Sequence, residues 1–411
     1  MTQACPWAAA SVTIRAPRRP KSRYVIRTIQ RAAARCALLV LACLQLGTAQ
    51  AFDTSGFFDP EDGQFDLSEW LLDRKGFLPV PIIITEPAVG YGGGVALLFI
   101  RESIRDATAR AKTSRGPVTP PDIYGIAAFA TENGTKGIGG GAMLTFEEDR
   151  WRYRGGAAKV DVNLKFYGVG GLLTDGQRDI GYTLDGWASS QQILRRLGDT
   201  NHYLALSWIY LDLDTRFDSG REKPIIASPE SRVRSSGLGL SWEYDGRDNI
   251  FTPNNGVLAA IDTLFYSPSI GSDEKFETYR AHVFAYAPLG KSVVLAGRLD
   301  GRAARGDVPF YQLPYIDMRG IPAARFQDEN AAVAEAELRW NITPRWALIG
   351  FAGVGRVWGR GGSFSEADNE TSKGVGFRYQ ISRRLGLYAG LDYAWGPDDR
   401  VFYIQVGSAW R

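Results

Sequence analysis

The chain has 411 residues, of which 45% are hydrophobic and 23% are charged, and its formal net charge is +3. The positive charge belongs to residues 1–51, which hold eight basic side chains and no acid. The rest of the chain carries 40 basic against 45 acidic side chains, so its formal charge is about −5. An acidic chain has no general electrostatic attraction to nucleic acid, and we expect no nucleic-acid partner.

Residues 1–51 have the pattern of a secretory signal peptide. A basic region precedes an apolar run at 37–46, and Ala49-Gln50-Ala51 has the small-x-small form of a cleavage site. The apolar run is too short for a spanning helix. Lipoprotein cleavage before Cys43 is an alternative, which the few apolar residues ahead of Cys43 disfavour. We predict cleavage near Ala51.

The mature chain offers little for catalysis. All three cysteines, Cys5, Cys36 and Cys43, lie in the leader, which excludes disulfides and thiolate metal sites from the mature chain. Its only histidines are His202 and His282, and His282 has the neighbours of a structural residue in mid-strand. No cluster has metal-ligand spacing. We therefore expect no enzyme, no catalytic residue, no cofactor and no metal.

Apolar and polar residues alternate with a period of two in several segments. In 331–340, four apolar residues alternate with the charged Glu335, Glu337 and Arg339, and similar patterns occur at 236–246, 291–302 and 374–381. No window after the leader reaches 18 consecutive apolar residues. Charges in the middle of strands need water, and a membrane barrel provides it by pointing them into its lumen.

The sequence thus predicts an all-β fold, a transmembrane antiparallel β-barrel of about 16 strands with a short N-terminal periplasmic helix. A short periplasmic segment at 52–76 would contain the helix at 66–72, and 77–411 would form the barrel. The first and last strands should pair, because an open edge in lipid leaves backbone groups unsatisfied. The candidate strands are 78–85, 89–101, 122–132, 136–146, 151–163, 180–194, 202–216, 232–246, 256–267, 276–287, 291–303, 331–341, 345–357, 373–382, 386–395 and 400–411.

Connections and aromatic residues fit this orientation. Most predicted periplasmic turns are short and most outer loops are long; the exception is 102–121, a long, charged periplasmic segment with helical character. Trp151, Trp340, Trp346 and Trp410 fall at periplasmic strand ends. We interpret them as an aromatic girdle facing the membrane interface.

Three motifs carry a family resemblance. Met318-Arg319-Gly320-Ile321, in the loop before the twelfth strand, resembles the Val-Arg-Gly-Phe/Tyr signature of the BamA/TamA superfamily, the bacterial surface antigen family. Asp245-Gly246-Arg247-Asp248-Asn249, followed by Gly256, resembles that family's periplasmic turn after strand eight. Phe351-Ala352-Gly353-Val354-Gly355 resembles its Phe-x-Asp-x-Gly element. The resemblance covers 77–411 and implies an outer-membrane barrel with the loop in the lumen.

The chain departs from the family pattern at informative places. Gly353 stands where the family has an Asp that pairs with the loop arginine, so Arg319 needs another partner. By parity the candidates are Glu335, Glu337 and Asp392. A C-terminal assembly signal is expected from the resemblance, and its residues here are Gln405, Gly407 and Trp410, with Arg411 in place of the final aromatic.

The resemblance also implies a function. Only 52–76 lies between leader and barrel, too little for the family's periplasmic POTRA modules, so the chain resembles a barrel-only branch. We expect an outer-membrane barrel of a Gram-negative cell that aids protein or lipid insertion through a weak seam, since Pro79 and Pro81 cannot donate ladder hydrogen bonds. The alternative is a passive channel or structural protein. The expected partners are outer-membrane lipids, the cell's barrel-assembly machinery and a periplasmic protein.

Overall fold

The computed structural model describes residues 55–114, 120–169, 180–217 and 231–410. From residue 56 onward these residues belong to one compact unit. The predicted signal peptide at 1–51, with its cleavage site, lies outside the described residues.

Sixteen strands of the described residues form one antiparallel sheet in which each strand is hydrogen-bonded to its neighbours in sequence. This is the predicted 16-stranded barrel, and the fold class is confirmed. The bounds are Gly76–Ile84 (β1), Gly92–Ile100 (β2), Ile123–Thr131 (β3), Lys136–Phe146 (β4), Trp151–Phe166 (β5), Ile180–Arg196 (β6), His202–Phe217 (β7), Ser231–Asp245 (β8), Gly256–Tyr266 (β9), Phe276–Pro288 (β10), Val293–Gly306 (β11), Asn330–Asn341 (β12), Trp346–Trp358 (β13), Glu370–Ser382 (β14), Leu387–Trp395 (β15) and Arg400–Val406 (β16). Because the strand number is even, β1 begins and β16 ends at the same rim, here named the N-terminal rim; the opposite one is the far rim.

Helix is sparse in the described residues. Helix α1 is Ser68–Leu72 and helix α2 is Ile104–Ser114, both within segments for which the sequence indicated helix. Short 3-10 helices occur at Ser55–Phe57, Pro268–Ile270 and Phe310–Gln312. No helix in the described ranges is long and apolar enough to cross a membrane.

The strand register assigns each strand residue to one face of the sheet, because directly opposed residues point to the same side. Arg298 on β11 stands opposite Glu335 on β12, which stands opposite Gly353 on β13. The charged residues of the alternating segments therefore share one face, which continues through the register to β1 and β16.

The connection between β11 and β12, residues 307–329, identifies that face as the lumenal one. Gln312 in this loop donates a hydrogen bond to Ser235 on β8 (2.7 Å), and the N–H of Gly320 donates to the hydroxyl of Tyr403 on β16 (2.9 Å). A single loop can reach the same face of strands so far apart only across the concave side of the sheet. We refer to residues 307–329 as the lumenal loop.

Hydrogen bonds do not close the barrel. β1 is paired with β2 and β16 with β15, and no ladder joins β1 to β16 in the described part of the chain. The prediction that the first and last strands pair is therefore wrong for this structure. Pro79 and Pro81 remove two N–H donors from β1, and β16 has only seven residues, so both edges are poor ladder formers. The gap between β1 and β16 is the seam.

An arginine holds the residues before β1 against the N-terminal rim. Arg345, in the turn between β12 and β13, is almost wholly buried and contacts Asp59 (2.5 Å), Asp62 (2.7 Å) and Asp66. Burial disfavours a charge on Asp66, but hydrogen bonds from Arg345 and Ser68 hold its pKa below the usual value. Asp66 is therefore ionised at neutral pH. We name Arg345 and the three aspartates the N-terminal clasp.

Candidate functional site

An aromatic cluster fixes the lumenal loop at the far rim. Phe310 packs against Phe166, Tyr182 and Phe217, with ring centroids 5.3, 5.0 and 5.5 Å away. These partners belong to β5, β6 and β7. From this anchor the loop crosses the lumen towards the last strands of the barrel, which brings its Arg-Gly motif to the lumenal charges.

Arg319 lies among the lumenal acids and is 8% exposed. Its Nη1 donates to Asp392 Oδ2 (2.9 Å), its Nη2 lies 2.8 Å from Glu337 Oε2, and its Nε lies 4.0 Å from Glu335 Oε1. The Glu337 contact is close but poorly aligned and completes no hydrogen bond, so its attraction is Coulombic. The guanidinium also lies over Phe351, 3.6 Å from the ring centroid. The structure thus brings Arg319 together with all three candidate partners.

The charges around Arg319 are balanced. Arg378 binds Asp392 through two hydrogen bonds of 2.6 and 2.8 Å. Arg298 donates to Glu335 (2.9 Å) and to Asp300 (2.7 Å). Five arginines and five acids make up the network: Arg280, Arg298, Arg302, Arg319, Arg378, Asp300, Asp317, Glu335, Glu337 and Asp392. Because each buried charge has a counter-charge, the loop enters the lumen without leaving a charge uncompensated.

Gly320 allows the lumenal loop to approach the backbone of the last strands. Its φ is +89°, and an added Cβ would lie 3.1 Å from the nitrogen of Gly396. Position 396 must also be a glycine for this approach, since a Cβ at Gly396 would lie 1.9 Å from the carbonyl oxygen of Gly320. The hydroxyl of Ser372 donates to the carbonyl of Arg319. Gly320 therefore permits the close approach of the lumenal loop to the last strands, and the ion pairs of Arg319 stabilise the loop in that position.

Gly353 is the position where the resemblance leads one to expect an aspartate. An added Cβ at Gly353 would lie 2.5 Å from the sulfur of Met318 and 2.7 Å from Cγ of Glu335. The methionine before Arg319 thus fills the space that a larger residue would need. The carboxylate that contacts Arg319 comes instead from Asp392 on β15.

The turn between β8 and β9, residues 246–255, is organised by the side chains predicted as a turn motif. Asp245 and Arg247 form a pair with two hydrogen bonds of 2.8 Å. Asp248 and Asn249 each accept two hydrogen bonds from backbone N–H groups of the turn. These bonds replace the ladder contacts that the turn lacks, so it keeps a defined shape.

This turn reaches other parts of the N-terminal rim. Gly256, with φ +108°, begins β9, and a Cβ there would lie 2.2 Å from a carbonyl oxygen of the turn. Arg339 on β12 donates to the carbonyl of Pro253 (3.3 Å), and Asn249 donates to the carbonyl of Leu385 (2.8 Å). The turn therefore lies across the mouth of the barrel between β8 and β15.

After β16 the chain turns into the same mouth. Gly407 has φ +79° and its N–H donates to the carbonyl of Tyr388 (2.7 Å). Trp410 is 4% exposed and packs against Phe284 and Tyr286 on the lumenal face of β10. The prediction that Trp410 faces the membrane in an aromatic girdle is therefore wrong, because the bend at Gly407 directs it inward.

Of the other predicted girdle residues, Trp340 and Trp346 are exposed on the outer face beside the β12–β13 turn. Gln405, which was predicted as part of the C-terminal assembly signal, stands on β16 opposite Gly390. The assignment of Gln405, Gly407 and Trp410 as an assembly signal stays a prediction.

Four strands lack the polar lumenal face of the others. On the lumenal side β1–β4 carry no charge, and their only polar residues there are Thr131 and Thr145 near strand ends; their outer side is apolar apart from Lys136 at the start of β4. This surface could not be predicted from the alternation pattern, because only charged residues marked a lumenal side in the sequence. We name the following lumenal residues the apolar wall: Leu78, Val80, Ile82, Gly94, Ala96, Leu98, Ile123, Gly125, Ala127, Phe129, Gly137, Gly139, Gly141 and Met143.

These features agree with a family model: the Omp85 superfamily domain matches residues 140–410, more than half of the chain. The chain belongs to the Omp85 superfamily. The suspected resemblance is thereby confirmed. Omp85 barrels are outer-membrane proteins of Gram-negative bacteria, so the strands of this Omp85 barrel lie in the outer membrane.

Solved structures of this superfamily share the fold. BamA from Haemophilus ducreyi lacking POTRA domains 1–3 is similar with a TM-score of 0.55 and 13% identity, over 81% of this chain and 70% of that chain. CdiB from Acinetobacter baumannii (TM-score 0.51, 13% identity) and CdiB from Escherichia coli (0.52, 11%) are similar over 80% of this chain. The matches span only 59% and 62% of those two chains. The comparison with curated proteins finds no match.

Proposed function

We propose that this Omp85 barrel inserts or translocates substrates through the seam between β1 and β16, with the N-terminal rim towards the periplasm. The observation that carries the proposal is the missing ladder between β1 and β16, in a sheet where every other neighbouring pair is hydrogen-bonded. An edge with free backbone groups can pair with an incoming strand. A separate periplasmic partner would present the client.

The lumenal loop supports this proposal, because it is attached to both sides of the seam. Gly320 donates to Tyr403 on β16, and the N–H of Ala323 donates to Glu86, just after β1 (3.1 Å). The loop therefore limits how far the two edges can part near the far rim. Arg319 keeps the loop at the depth where both attachments form.

A crosslink across the seam tests the proposal. Ile83→Cys and Phe402→Cys place thiols on the outer face of β1 and β16, and the mature chain has no other cysteine. In a cell that depends on the protein, a short bifunctional thiol crosslinker should abolish function in the double variant. Ala334→Cys with Val354→Cys, opposed across the β12–β13 ladder, is the matched control and should stay active when crosslinked.

A passive channel is the second candidate, because a polar cavity of about 860 Å³ lies in the lumen. In that case the crosslinked seam would leave function intact, and a bulky thiol reagent on a lumenal cysteine would abolish it. Catalysis is not proposed: His282 packs against Phe284 with ring centroids 5.0 Å apart, and its Nδ1 lies 3.9 Å from Asp262.

A further inference from the structure

The lumen contains an apolar cavity next to the apolar wall. Its volume is about 670 Å³, and its lining from β2 to β7 consists almost entirely of Gly, Ala, Ile, Leu, Met and Phe. Within the described residues this surface stays partly open: Met143 is 54% exposed, most of the other wall residues are half-buried, and only Leu78 is buried. Contact of such a surface with water is unfavourable in proportion to its area. The wall therefore favours an apolar occupant.

The apolar cavity borders the polar one. Gly156 and Ser190 line both, and beyond them the polar cavity is lined by Arg154 and Gln192. Arg154 is partly exposed and its closest acid, Glu243, is 3.7 Å away. A molecule lying on the apolar wall would thus have a cation and hydrogen-bonding side chains at one end, the arrangement that a phosphate group needs.

The seam connects the apolar wall with the membrane. On β1, Leu78 and Val80 face the lumen, while Phe77 and Ile83 face outward. An apolar chain passing round the edge of β1 would therefore meet apolar side chains on both faces, and only the unpaired backbone groups of the edge are polar. The nine residues of β1 span about 30 Å, close to the thickness of the hydrocarbon core.

We propose that the apolar wall is a phospholipid-binding site, with an acyl chain against β1–β4 inside the lumen and the phosphate beside Arg154. A client strand fits this surface less well, because the wall is the face of a sheet and offers no backbone hydrogen bonds. The inference uses the proposed seam only as the access route. Occupancy of the wall is measured on the purified barrel, independently of any insertion activity.

Photocrosslinking in phospholipid vesicles tests the site. Ala127→Cys, in the middle of the apolar wall, is labelled with a benzophenone maleimide, illuminated and analysed by mass spectrometry. Ile126→Cys, one residue away on the outer face, is the positive control for lipid contact. Thr278→Cys, on the lumenal face of β10 beside the polar cavity, is the lumenal control.

The proposal predicts phospholipid adducts at Ala127→Cys and Ile126→Cys and none at Thr278→Cys. It also predicts that Arg154→Gln lowers the adduct yield at Ala127→Cys several-fold and leaves the yield at Ile126→Cys unchanged. A wall without lipid adduct, or equal adducts at all three positions, would overturn the site. A peptide adduct at Ala127→Cys would assign the wall to a polypeptide instead, even if the seam carries out the proposed function.

Discussion

The two walls of the lumen differ in what covers them. The charged face of β10–β15 is covered by the lumenal loop, the β8–β9 turn and the C-terminal tail, whereas the described part of the apolar wall of β1–β4 stays partly exposed, with Leu78 as its one buried residue. Buried charges require fixed partners at short distance, which the same chain supplies. An apolar surface needs no fixed partner, so it can bind a ligand that exchanges. The charged wall is therefore the rigid part of the barrel, and the seam between β16 and β1 separates the charged wall from the apolar wall.

The largest loss of stability is expected from Arg319→Ala, which removes the central cation of the charged wall. It leaves Asp392, Glu335 and Glu337 with one cation fewer, and removing one partner of a buried ion pair typically costs about 3–5 kcal/mol. Unfolding in detergent, followed by the heat-dependent shift in gel migration, measures the loss. Arg305→Ala, at the exposed far rim, is the control; equal stability of the two variants would contradict the role given to Arg319.

Arg345→Ala should release the N-terminal segment and leave the barrel folded. Each lost hydrogen bond to a charged group is worth about 1.5–3 kcal/mol, and the freed aspartates can be solvated at the rim. Limited proteolysis should then cut within 56–67 in this variant. In Arg384→Ala, which loses only an exposed pair with Glu69 (3.2 Å), the segment should stay protected.

Acid should release the same segment in the unmodified protein. The folded-state pKa of Asp66 is lowered, so its stabilisation is present above the usual pKa and is lost as the pH falls through the lowered one. Proteolysis by an acid-active protease over a descending pH series measures this. Release that is independent of pH would show that the clasp is not electrostatic.

Gly353→Asp tests whether the charged wall tolerates the residue that the family resemblance leads one to expect. The added side chain collides with Met318, so we expect a destabilisation of about 1–3 kcal/mol from overpacking. Adding Met318→Ala to the Gly353→Asp variant should restore part of the lost stability, because the Met318 side chain occupies the space that the aspartate would need. A Gly353→Asp variant as stable as the unmodified protein would refute this packing account.

The smallest effect concerns Glu86, which joins the lumenal loop to the apolar side of the seam. Burial raises the pKa of Glu86 above its usual value, while hydrogen bonds from Ala323 and Ala88 oppose the rise. The protonated form is favoured in the folded state, so the folded state loses stability as the pH rises from the usual pKa through the raised one. Glu86→Gln should remove this dependence of the thermal midpoint on pH in the range above the usual glutamate pKa. A midpoint with the same pH slope in both proteins would exclude Glu86 as its source.

The lumenal residues of the charged wall could largely be predicted from the sequence, whereas those of the apolar wall could not. Alternation around Glu335 and Glu337 fixed their side of β12, and the same parity placed Asp392 with them. The distances that rank these three acids around Arg319 depend on strand register, which alternation does not give. Apart from Lys136 at the first position of β4, the strands β1–β4 carry no charges that mark one face, so their lumenal side could be assigned only through the ladders.

Pro79 and Pro81 indicated a weak seam in the sequence, but neither the complete absence of a ladder there nor the path of the C-terminal tail was predicted. Closure of a barrel is a general requirement in lipid, so the sequence favoured a paired seam. In the structure the ladder stops at β1 and β16. Trp410 has the position of a girdle residue in the sequence. Its inward placement depends on the φ of one glycine, Gly407, which alternation patterns do not reveal.

The central claim is that the seam is the mobile boundary between a fixed wall and an exchangeable one. Electron paramagnetic resonance of spin-label pairs in phospholipid vesicles tests it most directly, with labels at Ile83→Cys and Phe402→Cys. We predict a broad distance distribution across the seam and a narrow one for the control pair Ala334→Cys and Val354→Cys, which a ladder holds. Equally narrow distributions for both pairs would show that β1 and β16 are fixed to each other and would contradict the account.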